Sequence, residues 1–146
     1  FAELIESSSD YFLINMDLNG LKRMNDKFGH EKGDLLITTF ADVLRECFNE
    51  FATVVRMGGD EFIVIMKGQD AARCESLLSK LKLEIVNAND KEKDFRYSAS
   101  WGYALSHEVD SPSVKDIYML ADARMYSMKD EHHKMMTELS NQEVMS

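Results

Sequence analysis

Helical segments alternating with strand-like ones around a central apolar hairpin predict an α/β (α+β) sandwich built on a largely antiparallel sheet. Three observations carry that reading. Thr53-Val54-Val55 and Phe62-Ile63-Val64-Ile65-Met66 flank the pair Gly58-Gly59, and Gly-Gly between two apolar β-type runs is a strong two-residue hairpin signal. Tyr11-Phe12-Leu13-Ile14-Asn15-Met16 is a mostly apolar run of strand length. Phe95, Tyr97, Ala99, Trp101, Tyr103 and Leu105 alternate with their neighbours, the period of a strand with one buried face.

The remaining elements follow in chain order. Residues 1–7 read as the end of a helix and residues 10–16 as the first strand. Residues 19–27 predict a short helix with Asn19 as N-cap, because an Asn side chain can accept from a free N–H of the first turn. Residues 31–49 predict a longer helix, with Leu36, Phe40, Val43, Leu44 and Cys47 at helical spacing. After the hairpin, residues 70–86 predict a helix carrying Cys74, Leu77, Leu78 and Leu81, and residues 87–94 a polar loop. Pro112 and a Ser113 cap open the last helix, over residues 113–133, with Ile117, Leu120, Ala121 and Met128 facing inward. Residues 135–146 show little pattern and read as a frayed end or linker.

Composition bounds the function. At 146 residues the chain suits one domain, and 45% hydrophobic residues suit a globular one. A net charge of −9 argues against a nucleic-acid surface, which needs basic patches. Cys47 and Cys74 form no CxxC motif and read as buried thiols of a reducing compartment. No apolar run is long enough to span a bilayer and no signal peptide is evident. The segment Gly29-His30-Glu31-Lys32-Gly33 lacks the ending of a P-loop. The run Asp17-Leu18-Asn19-Gly20-Leu21-Lys22 fails the EF-hand pattern, and the adjacent His132 and His133 point apart on a helix and make a poor zinc pair.

Carboxylates in strands need a reason, since acidic residues are poor strand formers. Asp60 and Glu61 follow the glycine pair directly, and Asp17 ends the first strand. Taken alone, each is an ordinary surface acid. Together, three carboxylates converging from distant parts of the chain would repel one another, and burying them unpaired would cost several kcal/mol per ion. A hard divalent cation such as Mg²⁺ or Mn²⁺ relieves that cost, since it takes oxygen ligands and shares phosphate oxygens.

These motifs resemble the GGDEF family of diguanylate cyclases. The resemblance rests on the run from Asp17 to Asp26, on Phe28-Gly29-His30 and Gly33-Asp34, and on Gly58-Gly59-Asp60-Glu61-Phe62. It continues through Ser100-Trp101-Gly102 and the run from Ala121 to Lys129, and covers nearly the whole chain. It implies a five-stranded sheet surrounded by helices, similar to nucleotidyl cyclases and polymerase palm domains. It implies an N-terminally truncated domain over residues 1–134, since Phe1-Ala2-Glu3-Leu4-Ile5 matches the helix after the family's opening segment, and a tail or linker over 135–146. The activity implied is condensation of two GTP into cyclic di-GMP and two pyrophosphates, across a homodimer. An upstream sensory or regulatory domain is expected, with a cytoplasmic location, in a larger bacterial protein, free or membrane-anchored. No nucleic-acid partner and no membrane contact by this fragment are expected.

The resemblance also implies roles. Asp17, Asp60 and the Leu18 carbonyl are metal ligands, with two Mg²⁺ or Mn²⁺ per half-site activating a 3′-hydroxyl and stabilising pyrophosphate. Glu61 is a second metal ligand or a proton acceptor. Gly58 and Gly59 let the backbone approach ribose and α-phosphate where a Cβ would clash. Asn25 and Asp34 form the guanine-recognition pair, a carboxylate suiting the N1–H and N2–H₂ donors that adenine lacks. Read as residues alone, Asp34 is equally a helix N-terminal acid favoured by the macrodipole and Asn25 an exposed helical residue. The backbone N–H groups of Gly20, Leu21 and Lys22 suit a polyphosphate at a helix start, although the Lys22 side chain reads equally as a solvated charge. Lys129 matches a phosphate-contacting lysine. Arg56 pairs a nearby carboxylate or contacts substrate, and Trp101 reads as core.

Two departures stand out. His133 occupies the place of a phosphate-binding arginine, with Lys134 beside it as a substitute. Asn49-Glu50-Phe51-Ala52 occupies the place of the family's Arg-x-x-Asp product-inhibition site, so feedback inhibition there is expected to be absent. Two rival functions follow: a catalytically silent GTP-binding regulatory module, and a purely structural dimerisation domain that binds no GTP.

Overall fold

The strand Tyr11–Leu18 (β1) is the spine of the molecule, because every one of its residues is buried. The structure is a computed structural model that describes residues 10–48, 52–68, 71–91, 97–109 and 113–145. The expected helix end at residues 1–7 and the positions Asn49, Glu50, Phe51 and Phe95 lie outside the described residues. After β1 come the helices Leu21–Phe28 (α1) and His30–Phe48 (α2), then the hairpin strands Ala52–Gly58 (β2) and Glu61–Lys67 (β3). The helix Ala71–Lys91 (α3), the strand Ala99–Leu105 (β4), a 3₁₀ turn at Ser106–Glu108 and the helix Val114–Met145 (α4) complete the order.

The strands lie in the order β2-β3-β1-β4, each neighbouring pair antiparallel. The resemblance implied five strands; among the described residues the sheet has four. The physical reason is visible in the chain, where only four described runs carry strand-type apolar patterning and the segments between them are helices and turns.

Alternation along β1 divides the core in two. Phe12, Ile14, Met16 and Leu18 face α2 and α3, where they pack with Phe62, Val64, Met66, Phe40, Leu44 and Leu81. Tyr11 and Leu13 face the other way, with Ile63, Ile65 and Ala104, against Ile117 and Ala121 of α4. Cys47 and Cys74 are free and buried, as expected. Burial pushes the Cys47 thiol up to about 11 and the Cys74 thiol up to about 12, so both are inert at neutral pH. Among the described residues no helix is long and apolar enough to cross a membrane.

Several boundaries differ from the sequence expectation. β1 runs on through Asp17 and Leu18, because both pair with β4 and Asp17 also pairs with β3. Asn19 is not a cap. Gly20 holds that place at φ 76° with no side-chain cap, while the Asn19 amide donates to Ser98 Oγ at 3.0 Å and accepts from Ser100 Oγ at 3.1 Å. α3 continues through the expected loop as far as Lys91, since Asn89 holds the extended Tyr97 backbone: its amide donates to the Tyr97 carbonyl at 3.0 Å and its carbonyl accepts from the Tyr97 N–H.

β4 is covered on both faces rather than one. Trp101 and Tyr103 pack on the α2/α3 side, as expected for a core Trp101. Opposite them α4 approaches so closely that a Cβ on Gly102 would lie 2.2 Å from the Met125 amide nitrogen. Ser113 caps α4 as expected, accepting from the Asp116 N–H at 3.2 Å and donating to its carboxylate at 2.9 Å. The helix then continues well beyond residue 133, to Met145.

Candidate active site

The α4-facing layer is apolar at one end of the sheet and polar at the other. In register across the sheet stand Glu61 on β3, Asp17 on β1 and Ser100 on β4. Direct cross-strand partners share a face, so all three are on the α4 side. One step inward, Asn15 opposes Ile63 and Gly102. From α4, the side chains of Tyr118, Asp122 and Lys129 meet this polar end.

The hairpin turn brings in Asp60. The loop residues are Gly59 and Asp60, with Gly58 already paired to Glu61 in the ladder. Of the two glycines only Gly59 has a positive φ, 27°, so the expected Gly58-Gly59 turn is shifted by one residue. A bulge between Arg56 and Gly58 absorbs the shift. The Asp60 carbonyl accepts from the Leu18 N–H at 2.9 Å, which ties the turn to the end of β1. Among the described residues Arg56 pairs no carboxylate; its guanidinium donates twice to the Gly59 carbonyl, at 2.8 and 3.1 Å, and clamps the turn.

Asp17 is the most perturbed carboxyl of the cluster. It is 8% exposed, and burial with Asp60 beside it pushes its carboxyl up to about 6 against the opposing pull of Lys129. Lys129 donates to Asp17 Oδ2 at 2.7 Å, and that contact raises the ammonium's own pKa. The other oxygen, Asp17 Oδ1, is buried with no hydrogen-bond partner. Glu61 accepts from the Tyr118 hydroxyl at 2.6 Å, and this bond, with burial, holds the phenol ionised only at very high pH. Asp122 accepts from Asn15 Nδ2 at 2.7 Å, and burial followed by the nearby Glu61 charge raises its carboxyl.

This donor set fits a small hard cation. Mg²⁺ is held by one or two carboxylates plus substrate phosphates rather than by a full protein cage. Asp17 and Asp60 with the Leu18 carbonyl supply that, and the orphaned anionic Asp17 oxygen is the atom such a cation would satisfy. Among the described residues no three His, Cys, Asp or Glu side chains gather as a ligand set, and Glu61 is engaged by Tyr118.

The expected substrate contacts are placed as follows. The Asn25 side chain lies against Gly33, where an added Cβ would sit 1.7 Å from Asn25 Oδ1, and that oxygen is buried without a partner. Asp34 is the next residue, exposed just past the first turn of α2. Asn25 and Gly33 thus meet across the α1–α2 corner, with Asp34 next in the chain. α1 starts at Leu21 without a side-chain cap, leaving its first N–H groups to other acceptors. Lys129 is tied to Asp17, His133 is exposed, and Lys134 lies 3.9 Å from Asp130 on the helix surface.

Sequence reasoning assigned no role to Asn15, Tyr118 or Asp122. Asn15 carried a signal, as a polar residue inside an otherwise apolar strand must find a partner. Tyr118, Asp122 and Lys129 also share one helical stripe. A separate groove of about 500 Å³ lies along the outer edge of β4, lined among others by Glu75, Trp101, Tyr103, Glu108 and Arg124, away from the carboxylates.

Comparison with known proteins agrees with this architecture. The family model described as "Diguanylate cyclase, GGDEF domain" matches residues 2–135, and the chain belongs to that family. It is 33% identical over 130 residues to the bifunctional diguanylate cyclase/cyclic di-GMP phosphodiesterase MucR of Pseudomonas aeruginosa, covering 88% of this chain and 19% of that protein. It is 33% identical over 117 residues to the diguanylate cyclase DgcS of Shewanella oneidensis, covering 80% of this chain and 38% of DgcS. The chain therefore spans between about a fifth and two fifths of these relatives. The crystal structure of the GGDEF domain of DgcB from Caulobacter crescentus, in complex with cyclic di-GMP, superposes with a TM-score of 0.76 at 24% identity. That match covers 84% of this chain and 74% of the other and establishes the fold.

Proposed function

We propose that this domain is a diguanylate cyclase that condenses two GTP into cyclic di-GMP and two pyrophosphates. The observation that carries the reading is the meeting of Asp17 and Asp60 at the end of β1, with a buried Asp17 oxygen left open. GGDEF cyclases generally use divalent metal ions, and Asp17, Asp60 and the Leu18 carbonyl would hold one or two Mg²⁺ or Mn²⁺ here. Such an ion lowers the pKa of a 3′-hydroxyl and stabilises charge on the phosphates.

The protein's own residues do the rest. Asn25 and Asp34 form the guanine-recognition pair, with the Asp34 carboxylate accepting from the N–H groups of the base. The first N–H groups of α1 take the terminal phosphates. Gly58 and Gly59 admit ribose and α-phosphate, an approach with nothing within 4 Å of either glycine's Cβ position. Glu61, oriented by Tyr118, stands beside the cluster as the proton acceptor. Each 3′-hydroxyl must reach the other GTP, so the active form is an antiparallel homodimer of half-sites, governed by domains outside this chain in a cytoplasmic protein.

Chromatography of nucleotides after incubation of concentrated protein with GTP and Mg²⁺ or Mn²⁺ tests this, with Asp60→Ala alongside. Cyclic di-GMP is expected from the wild type, and a loss of about 10³-fold or more from the variant, the size of several kcal/mol of lost charge stabilisation. A silent GTP-binding module is the second reading. Nothing favours it over the cyclase; His133 in place of a family arginine keeps it as the rival to test. Saturable GTP binding without product, even after forced dimerisation, would establish it, and no GTP binding at all would leave a structural domain.

A further inference from the structure

Lys129 faces two partners that cannot both have it. Its Nζ lies 2.7 Å from Asp17 Oδ2, within the field of Asp60 and Asp122, and 5.9 Å from the centroid of the Tyr126 ring. The carboxylate it holds is 12% exposed, whereas the lysine side chain is 40% exposed and reaches in from solvent along α4. A divalent cation seated on Asp17 and Asp60 would share a carboxylate with that ammonium, and like charges so close repel strongly. A lysine is a compact charge on a flexible four-carbon stem, so it can leave without moving the helix.

We infer that Lys129 is the resident counter-cation of Asp17 in the nucleotide-free protein, that the entering divalent cation displaces it, and that displacement frees its ammonium for the triphosphate. This rests on the reading of Asp17 and Asp60 as metal ligands. The open Asp17 Oδ1 is what makes exchange rather than simple exclusion the outcome. The entering ion has one oxygen to bind while the lysine still holds the other, so the carboxylate passes from one cation to the next without standing bare. Metal and nucleotide then bind with positive coupling beyond their direct contact, because each ion seated makes one more cation available to phosphate.

The test is the affinity of nucleotide-free protein for Mn²⁺, read by electron paramagnetic resonance of the free ion. Wild type is compared with Lys129→Met, Lys129→Gln and Asp17→Asn, each also melted with and without Mn²⁺. Both lysine variants are expected to bind Mn²⁺ about tenfold or more tightly, since the ion no longer displaces a paired charge. They should melt lower than wild type without metal and gain more from it. Bound Mn²⁺ should also tighten GTP binding more in wild type than in the variants. Unchanged or weaker Mn²⁺ binding in both lysine variants overturns the displacement and leaves the metal site standing. No Mn²⁺ binding in any form, or binding unaltered by Asp17→Asn, overturns the metal reading together with it.

Discussion

The two faces of the sheet are built from alternate residues of the same strands, yet they carry different chemistry. Toward α2 and α3, β1 presents Phe12, Ile14, Met16 and Leu18, all apolar and buried. Toward α4 it presents Tyr11 and Leu13, then Asn15 and Asp17, so this face changes from oil to charge halfway along. Because side chains alternate with period two, one strand can anchor a core on one side and aim a carboxylate from the other. Stability and chemistry are thereby assigned to opposite sides of a single layer, and substitutions on the two sides should separate them.

The largest separation expected within the fold comes from the apolar face. Phe40 is buried and meets the Phe62 ring edge-on at 5.4 Å between centroids. Phe40→Ala should cost about 3–5 kcal/mol in urea unfolding, as large-to-small changes in packed cores do. Its folded fraction should bind Mn²⁺ as the wild type does. Loss of metal affinity in step with stability would mean that the faces are coupled through the sheet.

A smaller and opposite pattern is expected at Gly102, where α4 touches β4. An added Cβ would lie 2.2 Å from the Met125 nitrogen and 2.4 Å from the Ala121 carbonyl oxygen, so the helix must shift. Gly102→Ala should cost about 1–3 kcal/mol by overpacking. Since α4 also carries Tyr118, Asp122 and Lys129, the same change should weaken Mn²⁺ binding in the protein that remains folded. A Gly102→Ala protein with reduced stability and intact metal affinity would show that the polar end is positioned by the strands alone.

How much of this was legible beforehand follows the same division. The strands and the inward stripes of the helices were readable, because hydrophobic period reports which side is buried. Asp17, Asp60 and Glu61 stood out because acids at strand ends and turns conflict with local preference. What escaped reading depends on contacts between distant segments. Tyr118 reaches Glu61 across 57 positions and Asp122 reaches Asn15 across 107, and no local pattern announces such partners. Asn19 has the chemistry of a cap, but Ser98 and Ser100 arrive from 79 and 81 positions away and take its amide instead. The continuation of α3 to Lys91 likewise depends on Asn89 finding Tyr97.

The smallest expected effect is a pH dependence confined to the polar end. The Asp17 carboxyl stands at about 6, above its ordinary 3.8, chiefly through burial and then through Asp60, against the pull of Lys129. A raised carboxyl means that the folded protein keeps a proton which the unfolded chain has lost between those two values. Raising pH through that window therefore lowers the stability of the metal-free protein, and Asp122, also raised, acts in the same direction. Glu108, lowered by its contact with Arg124, acts oppositely and at more acid pH, where its stabilisation is lost as pH falls. The thiols of the apolar face, at about 11 and 12, take no part. Since a ligand carboxylate must be unprotonated, the same proton competes with Mn²⁺. Apparent affinity should be level above neutral pH and fall by about tenfold per unit below about 6, whereas an ordinary aspartate would hold its affinity to near pH 4. Mn²⁺ titrations between pH 4.5 and 8, with urea unfolding of the metal-free protein alongside, read both signs. Affinity that stays level down to pH 5 would mean that Asp17 is fully ionised in the folded state and that burial does not hold a proton at the polar end.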